Sequence, residues 1–383
     1  MTTSEKHVLK SVLLAGGGTA GHVNPLLAVA DEVARTSPGV SITVLGTREG
    51  LEAELVPSRG YPLAVVPKVP LPRRPSAAWF RLPGRLRAAV KAAGDAIDSS
   101  GAQVVVGFGG YVSTPAYLAA RRRGVPVVIH EQNARPGLAN RLGARWARAV
   151  AVTFPSTALQ GAVVTGLPLR REIAALVEER AADAAASRRS AAERLGLDPS
   201  MPVLVVTGGS LGAQRLNETI SALAAEITSA GVQVLHLTGR GKSEPVEAAV
   251  AGLAVDGVPR YLVREYLDEM HLAYAVADLV VCRSGAGTVC ELAALGLPAV
   301  YVPLPVGNGE QRLNAAAVVE AGGGLLVADA DLTAPWVRAE VLPLVADPAA
   351  LSRMAAAAAG VGVPDAAAAV VALVERAAEE GGR

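Results

Sequence analysis

Short apolar runs that end in glycine and lead into an amphipathic helix recur along this chain of 383 residues. In the first of them, Ser11–Ala30, an aliphatic run stops at Gly16–Gly18 and a helical pattern opens near Pro25. Asn24 is the predicted N-cap, because proline favours the first position of a helix. A strand that ends in glycines before a helix gathers backbone N–H groups at the positive end of the helix dipole. The stretch therefore predicts an anion site.

The same pattern returns twice. One copy has a strand before the turn Gly109–Gly110 and a helix whose predicted N-cap is Ser113 or Thr114, with Pro115 at its start. The other aligns with the opening stretch at an offset of 191 residues, which places Gly17, Gly18, Thr19 and Gly21 on Gly208, Gly209, Ser210 and Gly212. Two similar halves of alternating strands and helices predict an α/β protein with two facing Rossmann-like domains and a cleft between them.

Composition shifts along the chain indicate where these domains end. A charged, alanine-rich stretch at 169–200 is the predicted passage between an N-terminal domain, 1–168, and a C-terminal domain, 201–362. The last segment, 363–383, is a predicted helix that packs back toward the N-terminal domain. A chain of this length can bury two full cores.

Charge is spread unevenly between the halves. Residues 1–168 hold 19 Lys and Arg against 9 Asp and Glu, a net charge of +10, and the remainder has a net charge of −9. A basic first half predicts an anionic partner. Its arginines are not interleaved with stacking aromatic residues, so we expect no nucleic acid. Cys282 and Cys290 fit neither a disulfide framework nor a metal quartet, and reduced thiols are expected.

The segment around Trp79 and Phe80 mixes apolar side chains with basic ones, including Arg81 and Arg85. Such a mixture is typical of an interfacial anchor on an anionic bilayer. A loop and helix with a buried apolar side is the alternative. We expect no secretory signal in the first residues, because the apolar run after Lys10 is broken at once by glycines.

Three further patterns bear on chemistry. The strand that ends at Gly46–Thr47 lacks the acidic residue that would hold a dinucleotide ribose, which argues against a dehydrogenase. Asp329 and Asp331 have the spacing of a metal-binding pair, but they precede a predicted helix and are expected to act as caps. After the turn Ser284–Gly287, a helix is predicted to begin at Thr288, with Glu291 in its first turn.

Seven motifs taken in order resemble the MurG family. They are GGGTAGHVNP, GFGGYVSTPAYLAA, HEQNARPGLANR, GLPLRREI, GGSLGAQRLN, CRSGAGTVCELAALGLPAVYVPLP and GNGEQRLNA. The resemblance runs from about Val12 to the C-terminal helices. It implies a GT-B fold and inverting transfer of N-acetylglucosamine from UDP-N-acetylglucosamine to an undecaprenyl-diphosphate-linked muramyl-pentapeptide, a step of peptidoglycan synthesis. It also implies a peripheral location on the cytoplasmic face of the cell membrane, in contact with its anionic surface.

The resemblance carries roles to particular positions. His22 is implied as the base for the acceptor hydroxyl. The residues implied at UDP-N-acetylglucosamine are Thr19, Ala20, Gly21, Asn133, Arg170, Ser210, Leu267, Ala286, Gly287, Thr288, Glu291 and Gln311. Those implied at the acceptor diphosphate are Gly16, Gly17, Gly18, Gly109, Gly110 and Tyr111, and those at the membrane are Trp79, Phe80, Arg81 and Arg85. No protein-bound metal or cofactor is expected, although a divalent ion can arrive with the substrate diphosphate.

Three positions depart from the family pattern. Leu211 stands where glutamine is usual, and Gly287 and Cys290 also differ. These departures leave open a specialised paralogue with another polyprenyl-linked or small acceptor. A UDP-N-acetylglucosamine 2-epimerase remains a second alternative, which would need a set of carboxylates and histidines as acid and base. A non-catalytic scaffold docked on the membrane is a third.

Overall fold

The computed structural model describes residues 9–69, 78–255 and 258–381, and the side chains of residues 78–81, 254, 255, 258 and 259 lie outside that description. The chain divides into two compact units. Unit 1 comprises Met1–Arg171 and Asp365–Arg383, and unit 2 comprises Glu172–Pro364. Most of the predicted passage 169–200 therefore lies within unit 2, because its helix packs there.

Unit 1 contains one seven-stranded sheet with all strand pairs parallel. Its strands are β1 (Ser11–Ala15), β2 (Ser41–Gly46), β3 (Leu63–Val65), β4 (Val104–Gly107), β5 (Val127–Glu131), β6 (Ala149–Val152) and β7 (Ala162–Val164). The helices that alternate with them are α1 (Ala20–Thr36), α2 (Glu52–Ser58), α3 (Ala78–Ser100), α4 (Ser113–Arg123) and α5 (Leu138–Gly143). The strand order is β3-β2-β1-β4-β5-β6-β7. The order reverses between β1 and β4, which is where open α/β sheets bind ligands.

Unit 2 repeats this plan. Its strands are β8 (Val203–Thr207), β9 (Gln233–Leu237), β10 (Ala254–Val255), β11 (Val258–Pro259), β12 (Tyr261–Arg264), β13 (Leu279–Cys282), β14 (Ala299–Tyr301) and β15 (Gly324–Leu326). A parallel sheet of six strands has the order β12-β9-β8-β13-β14-β15, and β10 and β11 form a separate antiparallel pair. The reversal here lies between β8 and β13. Each unit thus has the doubly wound plan that the alternating pattern predicts.

The helices of unit 2 follow its strands. They are α6 (Arg171–Leu195), α7 (Gln214–Ser221), α8 (Ala224–Ser229), α9 (Glu244–Val250), α10 (Met270–Val276), α11 (Ala286–Ala294), α12 (Glu310–Asn314), α13 (Ala316–Glu320), α14 (Ala334–Trp336), α15 (Leu342–Val345) and α16 (Pro348–Ala359). A 3-10 turn at Asp329–Asp331 precedes α14, and a π-helical turn at Val337–Val341 follows it. α6 is broken by non-helical dihedrals at Asp183.

The last helix, α17 (Ala366–Gly381), returns to unit 1. It packs against α1 and against β4, β5 and β6. Val370, Val374 and Ala377 are buried there in one cluster with Leu26 and Val106. Removing this apolar surface from water stabilises unit 1. α17 therefore forms part of the same core as α1 and β4.

Two helices begin earlier than their patterns predict. α1 begins before Pro25, and its N-cap is Thr19 in an extended conformation (φ −135°, ψ 156°), so the predicted N-cap Asn24 is wrong. The N–H group of His22 donates to the Thr19 carbonyl at 3.1 Å, which places His22 in the first turn. Proline has a helical φ and removes only its own N–H group. It therefore does not prevent the helix from extending toward its N-terminus.

α11 also begins earlier than predicted, at Ala286 rather than at Thr288. Its N-cap is Gly285, which has extended dihedrals (φ −62°, ψ 146°). Glu291 consequently lies in the second turn. The first turn contains Ala286, Gly287 and Thr288, whose N–H groups lack partners four residues earlier within the helix.

Among the described residues, no single helix has both the length and the apolarity to cross a membrane. The segments Ala334–Val345 and Pro348–Ala359 pass that test together, but they meet at an angle of 89°. Val337, Val341 and Val345 of this pair are buried in the core of unit 2.

Candidate functional site

The two glycine turns of unit 1 touch at the reversal of its strand order. Gly16–Gly18 follow β1, and Gly109 and Gly110 follow β4. A Cβ added to Gly110 would lie 2.5 Å from the Gly17 carbonyl oxygen, and Gly110 has a φ of +80°. Only glycine permits both this contact and this backbone conformation without strain. Gly17 and Gly110, 93 positions apart in the sequence, are therefore brought into one site.

Ser113 holds this junction together. Its hydroxyl accepts the Gly109 N–H at 2.9 Å and lies 3.1 Å from the Ala15 carbonyl oxygen at the end of β1. Its predicted role as N-cap of α4 is wrong, because Val112 occupies that position. Tyr111, the next residue of the turn, is 42% exposed, and the Lys68 ammonium lies 5.8 Å from its ring centroid.

His22 lies against both turns. Its Nδ1 is 3.0 Å from the Thr19 hydroxyl oxygen. A Cβ added to Gly109 would lie 3.1 Å from its Nε2. Burial lowers the pKa of His22, and the Gly17 carbonyl and the Glu52 carboxylate oppose that shift. The imidazole is therefore mainly neutral at pH 7 and can accept a proton.

Sequence patterns did not single out Glu52, the first residue of α2. It is fully buried, and its two carboxylate oxygens accept the Thr47 N–H at 2.9 Å and the Gly18 N–H at 2.8 Å. Burial by itself would raise the pKa of Glu52, but these donors hold it below its ordinary value. The Gly18 N–H that the sequence offers to an external anion is thus bonded to a carboxylate of the chain itself.

Polar residues at the end of β5 form a buried network. Glu131 accepts the N–H groups of Asn133 and Gly137 at 3.0 and 2.9 Å and the Asn140 side-chain amide at 2.9 Å. His130 is also buried, and its Nε2 is 2.9 Å from the Gly166 carbonyl oxygen. Burial lowers the pKa of His130 to about 4. These contacts hold the loop that carries Asn133, which is itself half-buried.

The glycine loop of unit 2 follows β8 and is backed by a second turn. Gly212 packs on this turn so closely that an added Cβ would lie 2.0 Å from the Thr238 carbonyl oxygen. Ser210 and Leu211 are exposed at the tip of the loop, Leu211 at 82%. The Lys242 ammonium donates to the Leu211 carbonyl at 2.6 Å. A cation therefore adjoins the loop, and the sequence patterns had not indicated it.

The other predicted donor residues of unit 2 lie after its remaining strands. The first turn of α11 follows β13, and Glu291 is buried in its second turn, with 6% exposed. Gln311 is half-buried on α12, and its amide oxygen accepts the Leu304 N–H at 2.9 Å. Leu267 is half-buried after β12. Arg170 is half-buried in unit 1.

Asp329 does not cap a helix. Its carboxylate lies 2.6 Å from the Arg283 guanidinium and 3.4 Å from that of Arg215, and Thr333 caps α14 instead. The predicted capping role is therefore wrong for Asp329. Its ion pair holds the side chain of Arg283, which lies two positions before Gly285, the N-cap of α11. Among the described residues, no three His, Cys, Asp or Glu side chains are grouped to hold a metal ion.

The predicted membrane contacts Trp79, Phe80 and Arg81 have side chains outside the described part of the chain. Arg85, one turn later on α3, is exposed. A mixed apolar and basic surface lies on α5 and the turn after it, where Leu138 is 67% exposed and lines a groove of about 480 Å³ with Arg141 and Arg145. Apolar and basic side chains thus adjoin at the surface of unit 1.

Comparison with known families covers most of the chain. The N-terminal domain model of glycosyltransferase family 28 matches residues 12–152, and its C-terminal domain model matches residues 203–370. A Frankia casuarinae protein is 57% identical over 371 residues, which are 97% of this chain and 96% of that protein. It is named UDP-N-acetylglucosamine–N-acetylmuramyl-(pentapeptide) pyrophosphoryl-undecaprenol N-acetylglucosamine transferase.

Solved structures with lower sequence identity are also similar to the chain over nearly its full length. The chain is similar to MurG of Acinetobacter baumannii with a TM-score of 0.75 and 28% identity, over 96% of this chain and 99% of that one. It is also similar to a UDP-N-acetylglucosamine 2-epimerase from Neisseria meningitidis, with a TM-score of 0.65 and 14% identity over 96% of this chain and 100% of that one. The second likeness is one of fold alone.

Proposed function

Because the chain belongs to glycosyltransferase family 28, we propose that it transfers N-acetylglucosamine from UDP-N-acetylglucosamine to the muramyl sugar of an undecaprenyl-diphosphate-linked muramyl-pentapeptide. The observation that carries this assignment is 57% identity over nearly the full length to a relative named for that reaction. The sites in the two units are consistent with it, since one contains a neutral base and the other has N–H groups suited to a diphosphate.

Unit 2 binds the donor in this proposal. Ser210 in the exposed glycine loop and the first turn of α11 direct backbone N–H groups at the diphosphate. Glu291 contacts the ribose, Gln311 the sugar hydroxyls, and the backbone at Leu267 the uracil. Because these groups act through hydrogen bonds, the proposal assigns the protein no metal of its own. A divalent ion that arrives with the donor would add charge stabilisation.

Unit 1 provides the base and receives the acceptor. The oxygen of the acceptor hydroxyl forms a bond to C1 of the transferred sugar while the bond from C1 to the β-phosphate oxygen breaks. His22 takes the hydroxyl proton, and the electron pair of the broken bond leaves with UDP. Attack from the face opposite the leaving group inverts C1. Burial of His22 keeps it neutral and so ready for this step.

The remaining groups of unit 1 orient the substrates. Thr19, Ala20 and Gly21 are exposed at the start of α1, where they can approach the donor sugar together with Asn133 and Arg170. Lys68, beside the exposed ring of Tyr111, provides a cation for the acceptor diphosphate next to Gly109 and Gly110. The charge of Lys68 thus lies on the same junction as the base.

An anionic membrane surface, on the cytoplasmic face of the cell membrane, is the proposed partner of unit 1. The excess of basic residues in 1–168 supports this, together with exposed Arg85 and the groove of Leu138, Arg141 and Arg145. An exposed leucine beside arginines is typical of contact with a membrane surface. The leucine side chain can enter the apolar part of the lipid, and the arginines can pair with the phosphate headgroups.

One assay tests the reaction. Purified protein is incubated with UDP-N-acetylglucosamine and a short-chain analogue of the lipid-linked muramyl-pentapeptide, and the UDP released is measured against a reaction that contains donor alone. We expect acceptor-dependent release, and no excess over the donor-only reaction would contradict the proposal. Conversion of the donor to UDP-N-acetylmannosamine without acceptor would instead indicate an epimerase.

A matched pair of variants tests the base. We expect His22→Ala to lower kcat by a factor of 10² to 10⁴, the range of general base catalysis, with the donor Kd nearly unchanged. His271→Ala is the control, since this half-buried histidine lies on α10 and has no assigned role. Near-normal kcat in His22→Ala would assign the base to another residue.

A further inference from the structure

The carboxylate of Glu52 occupies a site built from three segments of unit 1. Its Oε1 accepts both the N–H and the hydroxyl of Thr47, at 2.9 and 2.7 Å, and its Oε2 accepts the Gly18 N–H at 2.8 Å. The residue is fully buried. A buried carboxylate with donors on both oxygens is a fixed negative charge, and it is held at the end of β1.

Three glycines leave the space that this carboxylate fills. A Cβ added to Gly17, Gly46 or Gly50 would lie 2.4, 2.5 or 2.0 Å from an atom of Glu52. The loop after β1 therefore has the features of an anion site, namely convergent N–H groups and absent side chains, and the anion in it belongs to the chain.

Gly17 lies between this carboxylate and His22. Its α-carbon faces Glu52, and its carbonyl oxygen packs on Gly110, next to Gly109, which abuts the His22 ring. The same carbonyl opposes the lowering of the His22 pKa. Within the described part of the chain, the Thr19 hydroxyl lies at Nδ1 of the ring and the backbone of Gly109 near Nε2, and both are uncharged. Glu52 on α2 is a charged group that acts on the ring.

We propose that Glu52 is a positioning residue for His22: it fills the loop Gly16–Gly18 in place of a bound phosphate and fixes the Gly17 carbonyl that orients the imidazole. This inference rests on the proposed function, in which His22 is the base. Gly18 then has no free N–H for the acceptor diphosphate, which is bound by the turn Gly109–Tyr111. The negative charge also favours the protonated ring that forms when His22 takes the proton.

Glu52→Gln separates this role from a merely structural one. The amide keeps the volume but turns its NH₂ group toward the N–H of Thr47 or Gly18, and it removes the charge. We expect kcat to fall at least tenfold, with KM for both substrates within twofold of wild type. The acid limb of the pH profile should shift to lower pH, because the imidazolium loses its stabilising neighbour. Glu49→Gln is the control, since Glu49 is exposed in the same turn.

Two measurements without turnover keep this test independent of the transfer assay. The pKa of His22, followed by NMR of the ring in the substrate-free protein, should be lower in Glu52→Gln and unchanged in Glu49→Gln. Inorganic pyrophosphate should shift the Gly18 amide resonance in Glu52→Gln but not in wild type. An unchanged His22 pKa, or pyrophosphate at the wild-type Gly18 amide, would overturn the proposal.

Glu52→Asp serves if the glutamine variant does not fold. The shorter carboxylate keeps the charge but cannot reach Thr47 and Gly18 together, so kcat should fall while the acid limb stays near its wild-type pH. Normal kcat in this variant would overturn the positioning role. A wild-type protein that transfers no sugar would refute the proposed function, whereas the His22 pKa in the variants would still decide whether Glu52 acts on the ring.

Discussion

The Thr19 hydroxyl oxygen lies 3.0 Å from Nδ1 of His22. A hydroxyl can donate or accept, so the contact orients the imidazole in either tautomer. We expect Thr19→Val to lower kcat about tenfold, because the free energy of one hydrogen bond that positions a reacting group corresponds to roughly that factor in rate. Thr19→Ser should keep most of the activity. Steady-state kinetics at saturating donor measures both.

Helix stability provides the control for this prediction. The Thr19 side chain makes no capping hydrogen bond to α1, so Thr19→Val should unfold at nearly the wild-type temperature. Equal loss of activity in the valine and serine variants would contradict the role of the hydroxyl. A raised donor KM with normal kcat would instead assign Thr19 to donor binding alone.

The pH profile follows from the burial of His22. Its pKa lies below the ordinary value of 6.5, and the base works only when it is neutral. Activity should therefore be full at neutral pH and fall as the pH drops through the lowered pKa, with the midpoint of the acid limb below 6.5. Values of kcat/KM from pH 5 to 8 check this, and His22→Ala should lack the limb. A midpoint above 6.5 would contradict a desolvated His22 as the base.

The ion pair between Asp329 and Arg283 leads to a prediction about stability. Both side chains are mostly buried, at 14% and 12% exposure, so removal of the carboxylate leaves a guanidinium without its partner. We expect Asp329→Ala to lower the free energy of unfolding by about 3 kcal/mol, measured by urea denaturation. Asp331→Ala, at an exposed position, should cost less than about 0.5 kcal/mol.

Asp331→Ala also tests the alternative that Asp329 and Asp331 bind a metal. The dependence of turnover on Mg²⁺ concentration should be equal in this variant and in wild type, because an ion that arrives with the donor needs neither carboxylate. A marked rise in the Mg²⁺ requirement of Asp331→Ala would restore the metal-binding interpretation.

The C-terminal helix gives a prediction for unit 1. Val374 on α17 is fully buried against this unit, so Val374→Ala should lower its free energy of unfolding by about 2 kcal/mol. Val363→Ala is the control, because Val363 is 36% exposed before the helix. Hydrogen exchange should rise in β4, β5 and β6 rather than in unit 2. Faster exchange in unit 2 alone would contradict this packing.

Much of the fold was predictable from local patterns. Apolar runs that stop at glycines, each followed by a helical period, predict parallel strands and crossover helices without knowledge of distant contacts. The match of Gly17 and Gly18 to Gly208 and Gly209 predicts a second copy of the same plan. The family also follows from the sequence, because seven ordered motifs depend on residue identity alone.

Helix starts were less predictable, because capping rules compete. The pair Asn24 and Pro25 satisfies the rule for a first turn, yet the N-cap of α1 is the extended Thr19, five residues earlier. Similarly, Thr288 is a good N-cap residue, but Gly285 begins α11. In both places the shift moves a candidate site residue from a loop into a helical turn.

The partners of Glu52 across the first loop and of Asp329 depended on tertiary structure. Glu52 lies 34 residues after Gly18 and Asp329 lies 46 after Arg283, and no spacing rule links such distant pairs. Each becomes a partner only when parallel strands bring their ends to one edge of a sheet. The sequence by itself thus determined the strand and helix plan, the repeated glycine loops and the family, because these follow from local periodicity and residue identity. The tertiary structure alone decided which anion fills the first loop, what orients His22 and which carboxylate pairs with Arg283, since those contacts join residues far apart in the chain.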